Sequence, residues 1–233
     1  MIGTVLTLGG GGFSDRDTAS AIDDHLLALT GKDEPKVCFV PTASGDADPY
    51  IERFVAAFKG RAETSVLSLF CHDPWGHRDP AMLLTQDVVY VGGGSTANLL
   101  AVWRMHGLPD ILRTAAANGT ILAGISAGMN CWFEASSTDS YGPLALLHDG
   151  LGFLPGSACP HYLEEPDRRE KYLGWVAAGD LPGGYAVDQH TALVFRNGQL
   201  VEAVSEEAGH PAYRVDRGPD GAVETELPVR LLV

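Results

Sequence analysis

Short, continuous apolar runs recur along this chain, and each is separated from the next by a stretch with helical spacing. Residues 5–8, 36–41, 64–70, 87–91 and 120–124 show no in-and-out alternation, which is the pattern of strands buried on both faces. Between them, residues 17–29 carry Ile22, Leu26 and Leu29 on one helical stripe, with Asp15 or Asp17 as the expected N-cap. Residues 50–58 place Ile51, Phe54 and Phe58 on another stripe, and helices are expected at about 95–105 and 108–117. Strands alternating with helices predict βαβ units and an α/β fold: a doubly wound, mostly parallel sheet covered by helices on both faces. The final third changes character. Asn197-Gly198 separates two strand-like runs, 191–195 and 199–204, as a type I′ hairpin turn does, so antiparallel strands should extend one edge of the sheet. A single domain over residues 1–233 is the expected organisation.

Composition narrows the function classes. A formal charge of −14 with no concentrated basic patch disfavours nucleic acid and anionic membrane surfaces. The N-terminal run lacks a basic start, and no apolar run approaches the ~20 residues that span a bilayer, so the cytoplasm is the expected compartment. Cys38, Cys71, Cys131 and Cys159 are widely spaced, without a CxxC pattern, and read as reduced thiols. No metal or organic cofactor is implied.

The chemistry is carried by Gly124-Ile-Ser-Ala-Gly128, which follows a predicted strand and precedes residues that can continue as a helix to about Phe133. That is the context of a nucleophile elbow, in which Ser126 sits on a tight turn among small neighbours. The N–H of Ala127 is then available to a developing oxyanion. Gly92-Gly-Gly-Ser-Thr96 ends the preceding strand on the same rim, making Gly93 and Gly94 candidates for a second donor. Gly9–Gly12 lacks both P-loop and dinucleotide-binding spacing. A serine nucleophile needs a base. His161 in Cys159-Pro-His-Tyr162 is the first candidate, and His190 an alternative. A carboxylate should orient the imidazole, and Asp139 and Glu134 both stand close to the serine in sequence.

These motifs, Val91-Gly-Gly-Gly-Ser-Thr96, Gly124-Ile-Ser-Ala-Gly128 and Pro160-His161-Tyr162, resemble in order and spacing those of the peptidase E (aspartyl dipeptidase) family of serine peptidases and its cyanophycinase-like relatives. The resemblance covers roughly residues 1–205 and implies a class I glutamine-amidotransferase-like fold in which serine replaces the usual cysteine. It implies Ser126 as nucleophile, His161 as base and Asp139 as the third member, with Glu134 the glutamate alternative. It also implies an arginine that holds an acidic substrate side chain, for which Arg168 and Arg169 stand in the corresponding stretch. The expected substrate is a short peptide, Asp-X dipeptides in particular, acted on by a monomer or homodimer. Hydrolysis of isoaspartyl or cyanophycin-like peptides at the same site is the second reading. A catalytically silent binding protein of the same fold is the third.

Overall fold

The computed structural model describes residues 2–16, 20–71 and 76–232. Its first half runs β1 (Thr4–Leu8), α1 (Ala21–Ala28), β2 (Lys36–Val40), α2 (Asp48–Phe58), β3 (Glu63–Val66), β4 (Val88–Val91), α3 (Thr96–Met105), α4 (Leu108–Ala117) and β5 (Ile121–Ile125). The second half runs α5 (Ala127–Asn130), β6 (Phe133–Thr138), β7 (Ala145–Leu147), β8 (Leu154–Pro160), α6 (Arg168–Ala178), β9 (Gly184–Val187), β10 (Thr191–Arg196), β11 (Gln199–Ser205), β12 (Ala212–Gly218), β13 (Gly221–Glu226) and β14 (Arg230–Leu231).

An eight-stranded sheet has the order β14-β11-β10-β1-β5-β4-β2-β3. β1 to β5 are parallel to their neighbours among themselves, and β10 joins β1 antiparallel, so the expected α/β sheet with an antiparallel edge extension is present. Because successive side chains alternate across a strand, Leu6, Phe39 and Tyr90 pack on one face with Ile22, Leu26, Phe54 and Phe58 of α1 and α2. Val5, Val40 and Val91 pack on the other face with Leu99, Trp103 and Leu112 of α3 and α4. The strand expected through residue 70 ends at Val66, since beyond it the Asp46 carboxylate takes the N–H groups of Leu69 and Phe70, diverting them from any ladder. α1 is capped by Ser20, whose hydroxyl accepts from the Asp23 N–H, and not by Asp15; Asp17 lies outside the described residues.

The sequence reading contained no second sheet, and the structure has one: six strands in the order β13-β12-β9-β8-β6-β7. The helix expected to run on from the elbow to Phe133 is a single turn ending at Asn130. Trp132 and Phe133 are fully buried, and Phe133 pairs with Leu154 as β6 leaves for the second sheet. The cluster that covers the α3–α4 face of the first sheet continues into Phe133, Leu154, Ala158 and Ala212 of the second. α6 covers the second sheet's other face through Tyr172 and Val176, packed with Cys159, Ala186 and Val215.

Candidate active site

Register sets the site. Leu8 pairs with Ile125 and Val91 with Gly124, so β1, β4 and β5 end at one rim, where open α/β sheets bind ligands. Ser126, directly after β5, holds φ 56° and ψ −111°, a conformation that L residues adopt only when their surroundings impose it. Its N–H donates to the Leu8 carbonyl at 3.0 Å, and its carbonyl accepts from Asn130 at 2.9 Å, tying the turn to β1 on one side and α5 on the other. A Cβ on Gly128 would lie 2.3 Å from the Val91 carbonyl oxygen. The motif glycine is thus what lets α5 lie against the sheet.

His161 follows β8 with φ 53°. Its Nε2 is 2.8 Å from Ser126 Oγ and its Nδ1 2.8 Å from Oε1 of Gln189. With the amide oxygen facing it, Nδ1 carries the hydrogen, and Nε2 presents a lone pair to the serine hydroxyl. Burial pushes the His161 pKa below its ordinary 6.5; the Gln189 bond opposes this, Arg168 adds to it, and Glu165 and Asp139 pull upward. The imidazole is therefore neutral at pH 7, the form a general base requires. Cys131, close by in sequence, is fully buried and its thiol is raised far above its usual range by desolvation, so it offers no thiolate in competition.

Gln189 occupies the turn between β9 and β10, and β9 pairs with β8 in a register that sets Val187 opposite Pro160. Gly10 completes the alignment: a Cβ there would stand 1.3 Å from Gln189 Oε1 and 2.9 Å from His161 Cε1. The glycine run after β1, uninformative as a nucleotide motif, is the floor on which the His161–Gln189 pair rests.

Neither Asp139 nor Glu134, the carboxylates expected to orient His161, is its Nδ1 partner in the structure. Asp139 is exposed at the end of β6 and acts on the imidazole only through space. Glu134 is exposed and its Oε2 accepts from the Gly156 N–H at 2.9 Å. Their nearness to Ser126 in sequence is lost when β6 departs for the second sheet. His190 lies one residue past Gln189, with its Nδ1 3.2 Å from Glu206 Oε1 and not on the serine.

Ser126 and His161 open into a pocket of about 260 Å³ lined also by Gly10, Ser14, Asp15, Tyr50, Arg53 and Gly93. Gly93 meets the expectation of proximity, since a Cβ on it would be 3.3 Å from that of Ser126. Its N–H donates to the Tyr50 hydroxyl at 3.1 Å, which in turn bonds Ser14 Oγ. Gly94 is not in the pocket lining, and a Cβ on it would stand 2.2 Å from the Ala43 carbonyl oxygen. Ala127 opens α5 beside the serine, where the first N–H groups of a helical turn have no partner within the turn. Arg168 and Arg169 are not in this pocket lining. Arg168 is buried against Glu165, and Arg169 forms a forked pair with Glu224 at 3.1 and 2.5 Å. Arg53, on α2, is the arginine that lines it, donating to the Ser14 carbonyl.

A serine on a strained strand-to-helix turn, hydrogen-bonded to a neutral histidine at the carboxyl rim of a doubly wound sheet, is the arrangement of an α/β enzyme of acyl transfer. Comparison with known proteins makes the assignment specific: residues 5–203 match peptidase family S51, and the chain belongs to that family. It is 45% identical over 229 residues to the uncharacterized peptidase YgaJ of Bacillus subtilis (strain 168), covering 98% of each chain. It is 29% identical over 181 residues to peptidase E of Pasteurella multocida (strain Pm70), covering 74% of this chain and 75% of that one. The crystal structure of a peptidase from an acI-B1 Actinobacterium shares the fold with a TM-score of 0.72 at 20% identity, over 98% of this chain and 95% of that one. The protein is a peptidase, as the resemblance in its motifs implied. Among its described residues no helix is long and apolar enough to cross a membrane.

Sequence reasoning missed Gln189, Gly10, Tyr50 and Arg53. Gln189 is neither charged nor near Ser126 in sequence, so the expectation of a carboxylate close to the serine does not lead to it. Tyr50 and Arg53 were read as part of a helix, and only the placement of α2 at the rim turns them toward the serine.

Proposed function

We propose that the protein hydrolyses short peptides through an acyl-enzyme on Ser126, with His161 as general base and Gln189 holding the imidazole in its active tautomer. The carrying observation is the 2.8 Å contact between His161 Nε2 and Ser126 Oγ on a residue held at positive φ. His161 takes the hydroxyl proton as Ser126 attacks the peptide carbonyl. The Ala127 N–H receives the oxyanion, joined by the Gly93 N–H once the substrate displaces the Tyr50 hydroxyl. His161 then protonates the leaving amine, and water, deprotonated by the same imidazole, releases the acid. A neutral amide in the third position orients the ring without stabilising the imidazolium by charge, as the asparagine of papain-like enzymes does.

The pocket favours small zwitterionic substrates. Arg53 brings positive charge to the pocket for a carboxylate and Asp15 a counter-charge for an α-amino group, both lining it with the reacting serine. Asp-X dipeptides are therefore the first substrates to test, with Arg53 rather than Arg168 or Arg169 as the selecting cation. A panel of Asp-X, isoAsp-X, Glu-X and Ala-X dipeptides, with Ser126→Ala as the blank, decides. Ser126-dependent cleavage of Asp-X, with KM raised about tenfold or more in Arg53→Met and kcat little changed, supports the assignment. Cleavage that survives in Ser126→Ala would overturn the mechanism, and equal turnover of Ala-X would overturn the specificity.

A further inference from the structure

The last third of the chain gathers histidines and carboxylates that the peptidase site does not use. One ring nitrogen of His190, one of His210 and a carboxylate oxygen of Glu207 all lie within 4.8 Å of one another. We propose that these three residues form a binding site for a divalent transition-metal ion of the zinc class.

The donor set fits such an ion. Two imidazoles and one carboxylate suit a borderline-soft cation better than calcium or magnesium, which take oxygen ligands. Around a tetrahedral zinc, ligand atoms stand about 3.4 Å apart, given metal–ligand bonds of about 2.1 Å. His190 Nδ1 to Glu207 Oε1 and His210 Nε2 to Glu207 Oε2 are each 3.9 Å, so ligation requires small shifts of all three side chains, and Glu207, whose side chain is 44% exposed, has room for its own. A pocket of about 300 Å³ bordered by Glu207, Gly209, His210 and Pro211 gives the ion a way in and leaves room for water in a remaining position.

The surroundings are built as outer partners of metal ligands usually are. His210 Nδ1 is 3.1 Å from Asp188 Oδ2, and that carboxylate is only 6% exposed; the pair fixes the ring and aims Nε2 toward Glu207 Oε2, 3.9 Å away. His190 is held by main-chain bonds on both sides, its N–H to the Gly10 carbonyl and its carbonyl to the Glu206 N–H, each 2.9 Å. The two rings meet edge to face with centroids 5.1 Å apart. Arg16 occupies the Glu207 carboxylate, and Glu206 Oε1 stands 3.2 Å from the same His190 Nδ1 that faces Glu207, so a cation must displace Arg16 and take Nδ1 from Glu206.

The site adjoins the catalytic groups through the chain. His190 follows Gln189, and its neighbour Glu206 accepts the Gly12 N–H at 3.1 Å, so an ion there would stiffen the turn that aligns His161. No metal-ligand spacing stands out in the sequence because His190 comes from one loop and Glu207 and His210 from another.

The test is a zinc titration of chelator-stripped full-length protein in competition with a chromophoric chelator. Wild type should bind one equivalent, with the midpoint of thermal unfolding raised by roughly 5 °C at a hundredfold excess over the dissociation constant. His210→Ala and Glu207→Gln should each weaken binding at least tenfold and remove most of that shift; Glu207→Gln, at an exposed position, serves should His210→Ala fail to fold. His161→Ala and Cys71→Ser should bind zinc as wild type does, and the cobalt form should lack a thiolate charge-transfer band. Absence of stoichiometric binding, equal affinity in both site variants, or loss of binding in His161→Ala or Cys71→Ser would overturn the proposal.

Discussion

On the serine side of the active site one unbroken stretch of chain does the placing. β5, the strained Ser126 and α5 follow one another directly, and the groups that enforce the turn, the Leu8 and Val91 carbonyls, belong to the strands on either side of β5. On the histidine side nothing is contiguous. His161 ends β8, Gln189 lies beyond β9, and Gly10 beyond β1 in the other sheet. The serine is thus fixed by local backbone geometry, and the histidine by the docking of the second sheet against the first. Changes on the first side should cost the fold, and changes on the second the alignment.

The largest effects break both sides at once. Ser126→Ala and His161→Ala should each lower kcat by roughly 10⁴-fold or more, and the double variant should be no worse than either alone, because the two act as one unit. Thermal unfolding should stay near that of wild type. A loss in His161→Ala smaller by orders of magnitude than in Ser126→Ala, measured by peptide turnover, would remove the histidine from the chemistry.

Two glycines separate the sides more sharply. In Gly128→Ala the new methyl meets a backbone carbonyl of β4, which cannot move without the sheet, so a stability loss of about 1–3 kcal/mol is expected in denaturant titration. In Gly10→Ala it meets the Gln189 side chain, which can swing away but then releases His161. The expected outcome is a kcat lowered about 10²-fold with a smaller change in stability. The reverse pattern would show that the histidine side, too, is held by the backbone.

The same contrast explains what was legible in the sequence. Ser126, Gly124 and Gly128 could be read because a tight βα turn needs its small residues at fixed offsets, and those offsets survive in one dimension. His161 could be named as a histidine within Cys159-Pro-His-Tyr162, but what aims it at the serine is β8, a strand of a second sheet that the alternating pattern does not announce. β6, β8 and β9 pair parallel to one another, so no hairpin turn announces their partners, which tertiary docking sets. Gln189 was invisible for the same reason, as were the ion pairs of Arg168 with Glu165 and of Arg169 with Glu224, which form only on folding.

A smaller effect tests the third member directly. Gln189→Ala should lower kcat by about 10–10²-fold, the cost of an imidazole free to turn and change tautomer. Gln189→Glu should instead change the pH profile. Wild-type kcat/KM requires neutral His161, whose pKa is pushed below 6.5 by burial, so the acid limb should lie below that of a free imidazole. A carboxylate at 189 stabilises the imidazolium, raises that pKa and moves the acid limb to higher pH. An unmoved limb would mean that residue 189 does not sense the charge of His161.

The smallest effect belongs to the carboxylates that sequence proximity favoured. Glu134 is committed to the Gly156 N–H, and Glu134→Gln keeps an acceptor there, so kcat/KM should stay within about threefold of wild type. Asp139 is exposed and reaches His161 only through space, where its charge favours the protonated ring. Asp139→Asn removes that pull, so the acid limb should move slightly to lower pH, the direction opposite to Gln189→Glu, and the plateau rate should hold. Screening distinguishes the two further: an exposed charge acting through solvent loses its influence as salt is raised, whereas a carboxylate in contact with Nδ1 keeps most of its own. A plateau loss of 10²-fold in Asp139→Asn would instead put Asp139 in contact with the imidazole during turnover and displace Gln189 from the position assigned to it.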